Sequence, residues 1–466
     1  MCAEKITISD IKSAEKLLGI TYSKSEREQM VQNLEGQILS AKLRRGIELD
    51  NTTPMASKFD PRLPGFQMPS RSDIKLQKRD IKLPKNKEDI AFASIGEQGK
   101  WIKDGLLTSR KLTEIYLERI ESFESKLECF ATVTKDQALA EADAMDLLTS
   151  AKINLGPLHG IPYGLKDLFD TKGVRTGWGA EPYQNRVPVE DAEIVKRLRA
   201  AGAVILGKTT LGALAYNDIW YGGRTKNPWN LNEGSSGSSA GSASATAAAL
   251  CSFAIGTETL GSITSPSQRC GTTGLRPTFG RVSRQGGMAL CWSLDKIGPI
   301  CRSVEDTGIV LSTLNGYDEN DLSSIRAPFN FDTSKNIKDL VIGYLPEAFE
   351  DGATEVDRAA LKVAMSLGAK VKEVKLEDLP YMSLINILYA EAAAAFEHLT
   401  LSDEDDTLTW QDDGAWPNTF RKARFLSAVD HVQLDRLRYL VMKALDNLFS
   451  EIDILIGPFD TGPMLV

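Results

Sequence analysis

Between Gly234 and Pro266 the chain reads GSSGSSAGSASATAAALCSFAIGTETLGSITSP, a long run of small residues that carries a single charged side chain, Glu258. A stretch this poor in bulk is either a flexible Gly/Ser linker or a place where backbone packs closely enough for its amides to reach a ligand. The helix formers Ala243, Ala245, Ala247, Ala248, Ala249 and Leu250 argue for the second, and they predict a helix over about 239–250. A buried strand over 251–256 should follow, delivering Gly256-Thr257-Glu258-Thr259-Leu260-Gly261-Ser262, whose amides can converge on an anion or oxyanion. The stretch is no phosphate loop, because no Lys-Ser/Thr pair follows its glycines. Residues 237–241 do match G-x-S-x-G, the turn that exposes a nucleophilic serine after a strand. Asn230-Leu231-Asn232-Glu233 ahead of it does not read as that strand, which leaves Ser239 with His398 or His431 as a weaker catalytic set.

Upstream, Pro157, Gly160, Pro162 and Gly164 punctuate a short apolar segment that holds Lys166. A lysine next to an aspartate is ordinarily a solvated ion pair. Lys166 instead sits between Leu165 and Leu168, where burial would favour a neutral amine able to act as a base.

Asn227-Pro228-Trp229-Asn230, the run from Ser238 to Ala243, and Gly256 to Pro266, in this order and spacing, resemble the signature of the amidase signature family. The similarity extends from about Ser109 to Pro458. It implies a Ser-Ser-Lys triad of Ser262 as nucleophile, Ser238 as bridging serine on a cis peptide bond, and Lys166 as base. It further implies an oxyanion hole from the backbone of Thr259, Leu260, Gly261 and Ser262. The activity implied is hydrolysis of a linear amide to acid and amine through a Ser262 acyl-enzyme, without metal or cofactor. Two alternatives are the glutaminase subunit of a tRNA-dependent amidotransferase, which shares the triad but works in a complex, and a catalytically inactive scaffold. Two positions depart from the family pattern: Leu260 stands where glycine is common, and Thr264 where arginine is common, removing a charge near the nucleophile. Members also continue past the strand expected at 452–456, so the domain is expected to be incomplete at its C-terminus.

Net charge is -8, so no basic surface invites nucleic acid or an anionic membrane, and the partner expected is a small-molecule amide, with room for a homodimer. Three histidines and six scattered cysteines offer little for a zinc site or a disulfide framework. Neither a long apolar run nor a signal-peptide pattern at the start of the chain is seen, which makes the cytoplasm the expected location.

Two domains are expected. Residues 1–85 form a helical extension, with Gly19 ending a first helix capped by Ser9, a Ser23/Glu26 capping box opening a second, and a proline-broken arm after Gly46. The pair is similar to the small helical subunit that wraps the amidase subunit in tRNA-dependent amidotransferases. Residues 86–466 form an α/β domain, because helices expected over 106–122, 135–148, 191–201, 303–314 and 354–367 alternate with strands over 203–206, 340–344 and 371–376. Long helices over 381–398 and 419–448 precede the last strand. The expected fold is a mixed sheet covered by helices on both faces.

Overall fold

A computed structural model describes residues 6–459 apart from 48, 71, 77–80, 335 and 351–352. Its centre is a six-stranded mixed sheet in the spatial order Thr273–Gly274, Lys296–Cys301, Phe253–Glu258, Pro162–Lys166, Val204–Thr209, Phe130–Val133. Pro162–Lys166 runs parallel to both neighbours, pairing Leu165 with Ile255 on one side and Lys166 with Thr209 on the other. The flanking strands are antiparallel. Both Pro162–Lys166 and Val204–Thr209 are buried at every residue, as strands covered on two faces must be. A smaller parallel sheet joins Val341–Tyr344 to Lys370–Glu373 and Ile454–Ile456.

One helix against the sheet explains the small-residue run. Ala240–Ala247 is buried from Ala240 through Thr246, and a side chain on Gly241 would lie 2.2 Å from the Cys129 carbonyl oxygen. Only a nearly bare backbone fits there.

Most expected elements are present with shifted ends. The second helix, Lys24–Arg45, starts at the Ser23/Glu26 capping box, whereas the first, Ile8–Leu18, is capped by Thr7 rather than Ser9 and closes on Gly19. The helix expected over 106–122 runs Ser109–Leu127, because the Thr108 side chain accepts the Lys111 amide. The two long C-terminal helices are each divided. Phe396 leaves the helical region to bury itself against Phe420, separating Ile385–Ala395 from Glu397–Leu401. Ser427 caps a fresh helix, Ala428–Phe449, after Trp416–Ala423 has ended. One expectation is overturned: Asn230–Gly234 is a strand, pairing antiparallel with Lys226–Asn227. That ribbon lies outside the central sheet, where its own turn holds the register instead of an apolar alternation.

Cys129, Cys251, Cys270, Cys291 and Cys301 are all buried free thiols, while Cys2 lies outside the described residues. Burial raises their thiol pKa, that of Cys251 to about 11, so little thiolate exists near neutrality. We expect a thiol reagent at neutral pH to leave these five almost untouched until denaturant is added. Mass spectrometry showing a disulfide among them, with activity lost under mild reductant, would contradict this.

Candidate active site

Lys166 closes its strand at the carboxyl edge of the parallel core, where open α/β sheets place their ligands. Alternation along the strand sends Lys166 and Asp167 apart. Asp167 lies 3.5 Å from the buried Lys208 and accepts the Gly177 amide at 2.9 Å, so it is no partner of Lys166.

The Lys166 amine is fully buried among three hydroxyls, with Ser238 Oγ at 2.8 Å, Ser239 Oγ at 3.0 Å and Thr257 Oγ1 at 2.8 Å. Burial drives its pKa well below the usual lysine value, against a weaker opposing pull from Asp295 and Glu258. In its neutral form, which the lowered pKa favours, the amine has two N-H donors and one lone pair, and one of its three neighbours then donates a hydrogen bond to it. Ser239 already gives its hydroxyl hydrogen to the Thr257 carbonyl at 3.1 Å. The giver is then Ser238 or Thr257.

Ser238 is held at this point by a loop with little freedom. The Gly237-Ser238 peptide is cis, and a side chain on Gly237 would lie 1.8 Å from the Asn217 carbonyl oxygen. The segment carrying Ser262 is stitched to it twice: the Ser239 amide donates to the Ser262 carbonyl at 3.0 Å, and the Ser236 and Ser265 hydroxyls meet at 2.7 Å. Among the described residues, no hydrogen bond joins Ser262 Oγ to Ser238 Oγ. The structure thus joins Lys166 to Ser238 by side chains and Ser238 to Ser262 by neighbouring backbone.

Charged groups frame the loop between Glu258 and Thr264. The Glu258 carboxylate accepts the amides of Ile263 at 2.8 Å and Thr264 at 2.9 Å, anchoring the start of helix Thr264–Cys270. Lys296 donates to the Thr259 carbonyl at 3.0 Å and also to that of Leu294. Its burial, aided by nearby Arg276, brings its pKa down to about 8. Arg276 reaches Glu258 at 3.1 Å and the Leu260 carbonyl at 3.5 Å, so a guanidinium stands by the loop although position 264 is threonine. Among the described residues, the amides of Leu260, Gly261 and Ser262 have no protein acceptor.

A cavity of about 650 Å³ opens beside this frame, lined among others by Thr257, Thr259, Phe169, Trp292 and Lys296. Ser238 and Ser262 are not in its lining. Thr257, Arg276 and Lys296 escape the sequence reading. Thr257 alone carried a signal there, since it lies between Gly256 and the loop already singled out.

The other serine set does not assemble. Ser239 is fully buried with its hydroxyl committed, His398 is exposed and bonded to the Tyr183 hydroxyl at 2.7 Å, and His431 lies on helix Ala428–Phe449. Among the described residues no group of three or more His, Cys, Asp or Glu is placed to hold a metal ion, and no helix is long and apolar enough to cross a membrane.

Residues 111–465 match the family model Amidase. A glutamyl-tRNA(Gln) amidotransferase subunit of Geobacter sp. (strain M21) is 34% identical over 406 residues, covering 80% of this chain and 84% of that protein. Among solved structures, that of a vestigial protein complex described as revealing the evolutionary origins of an s-triazine catabolic enzyme superposes with a TM-score of 0.72 at 31% identity, over 80% of this chain and 83% of the other. The corresponding glutamyl-tRNA(Gln) amidotransferase subunit of Thermotoga maritima superposes with a TM-score of 0.65 at 27% identity, over 79% of each chain. With its signature segment on the carboxyl edge of the same mixed sheet, this chain belongs to the amidase signature family, enzymes that act on amide C-N bonds.

Proposed function

We propose that the chain hydrolyses a carboxamide through an acyl-enzyme on Ser262, with Ser238 and Lys166 as proton relay. The observation that carries this reading is the fully buried Lys166 amine, its pKa pushed well below the usual lysine value by burial and its nitrogen ringed by hydroxyls. Lys166 takes the proton of Ser238 as Ser238 takes that of Ser262, and Ser262 Oγ attacks the carbonyl carbon. The carbonyl pair moves onto oxygen, facing the amides of Thr259, Leu260, Gly261 and Ser262. As the oxyanion collapses the C-N bond breaks, and the relay returns its proton to the departing nitrogen. Water then repeats the attack on the ester and frees the acid. Ser262 Oγ must swing to Ser238 for the first transfer, and such hydrogen bonds commonly tighten only when substrate is bound.

The relatives favour one amide in particular. The Geobacter protein's name makes the glutaminase half-reaction of a tRNA-dependent amidotransferase the first to test, with the carboxamide of glutamine as substrate and a tRNA-binding subunit as partner. Ammonia release from glutamine together with co-purification of such a subunit supports that form, whereas turnover of other amides by the chain alone supports a free-standing amidase.

A serine-directed fluorophosphonate tests the shared core of both. We expect one adduct, on the peptide that contains Ser262, with loss of all amide hydrolysis. An unlabelled Ser262 in a folded chain means an inactive scaffold.

A further inference from the structure

The geometry points to Asn51, Thr52 and Pro54 of the N-terminal arm as a wall of the cavity beside the 258–264 loop, where they select amides by the size of the acyl group, an inference that rests on the hydrolytic reading above and takes this cavity as the one that holds the substrate. Asn51, Thr52 and Pro54 line the same cavity as Thr257, whose hydroxyl meets Lys166 at 2.8 Å. These residues lie ahead of the region that the family model matches, which begins at residue 111. The wall therefore lies outside the segment that the family model matches.

The arm is fixed in place. Asn51 behaves as an inserted peptide unit: its side-chain amide donates to the Ala289 carbonyl at 2.9 Å, and its oxygen accepts the Ala289 amide at 2.8 Å. The same nitrogen lies 3.4 Å from the Ala395 carbonyl at the end of helix Ile385–Ala395, so one residue ties the cavity rim to that helix. Asp50 accepts the Thr52 amide at 2.8 Å and the Thr52 hydroxyl at 2.6 Å, and its carbonyl takes the Thr53 amide. On either side, Arg44 grips Glu397 with contacts of 2.6 and 2.7 Å, and Phe59 packs edge-on against Phe279 beneath the Arg438 guanidinium.

Selection by size follows from where these polar groups go. The side chains of Asp50, Asn51 and Thr52 are engaged within the protein, and Pro54 has no donor, so the arm offers the cavity shape rather than charge. At about 650 Å³ the cavity is in the range that takes ligands much larger than a simple aliphatic amide. Moving or thickening this wall should change which acyl groups are accepted.

The experiment measures kcat/KM for 4-phenylbutanamide and for propionamide on the full chain, its Asn51→Ala variant and its Thr52→Trp variant. Loss of the Asn51 clamp is expected to raise the ratio of bulky to small amide roughly tenfold, and Thr52→Trp to lower it by a similar factor. Thr52 is exposed, so its variant carries the test even if Asn51→Ala fails to fold. Folded variants that keep the native ratio overturn the inference and leave the hydrolytic reading standing. A native chain that turns over neither amide while Ser262 takes the fluorophosphonate overturns the inference alone, and one whose Ser262 also resists the reagent sinks the hydrolytic reading with it.

Discussion

Replacing Ser262 with alanine is expected to lower amide hydrolysis to background, a loss of roughly 10⁴- to 10⁶-fold. On the proposed mechanism the acyl-enzyme needs this hydroxyl, and neither the lysine nor the loop amides could substitute for it in holding the acyl group. Stability should hardly move. Ser262 is only partly buried and its hydroxyl is bonded neither to Ser238 nor to Lys166, so alanine leaves no stranded partner. Steady-state ammonia release read beside thermal melting separates the two effects. The control is Ser239→Ala, which removes a hydroxyl that bonds Lys166 at 3.0 Å and the Thr257 carbonyl at 3.1 Å. That variant should be slower and less stable but still able to form the acyl-enzyme. Near-native turnover by Ser262→Ala, with turnover abolished in Ser239→Ala, would transfer the nucleophile to Ser239.

The second large effect belongs to Lys166→Met, expected to cost roughly 10² to 10⁴ in kcat, the range supplied by a positioned proton-transfer group. Only the neutral amine can accept a proton, so native activity should fall as pH drops through the depressed pKa of Lys166. In the variant the residual rate should lose that acid limb. Adding Ser238→Ala to Lys166→Met should cost little more than either alone, because parts of one relay fail together. The linkage to stability has a definite sign. Unfolded Lys166 holds its proton up to the ordinary lysine pKa and the folded residue releases it lower, so the native state gains stability as pH rises across that window. Lys166→Met should flatten this rise in denaturant titrations. A native rate profile that stays at full height down to pH 4, with chemistry limiting, would falsify the assignment of Lys166 as base.

The parts of this molecule legible in its sequence are those encoded by neighbours along the chain. The Ser23/Glu26 capping box, the stop at Gly19, and the apolar runs of the central strands depend on local chemistry, and they stand within a few residues of expectation. Lys166 could be placed in a buried setting because leucines flank it. What escaped was set by residues far apart. Nothing near Phe396 announces that it will leave its helix for Phe420, and nothing in Asn230–Gly234 announces a ribbon held by its turn. A guanidinium does stand at the 258–264 loop, but it comes from Arg276 and not from position 264, which is visible only in three dimensions. Asn51 is the extreme case, a polar residue in a proline-broken arm whose partners are 238 and 344 positions away.

Lys166 meets hydroxyls 72, 73 and 91 positions further along the chain, and each contact spans the closure of the parallel core. No hairpin or single helix can assemble such a cluster, since the loop-closure entropy must be met before any of these bonds forms. During refolding, helices such as Ser109–Leu127 can gain their circular dichroism early, from contacts within themselves. With Lys166 as the proposed base, regain of catalysis is instead expected to wait until Pro162–Lys166 has found both of its parallel neighbours. Recovery of activity in this chain therefore reports a non-local pairing of the central sheet, and ellipticity alone would report the chain as folded too soon.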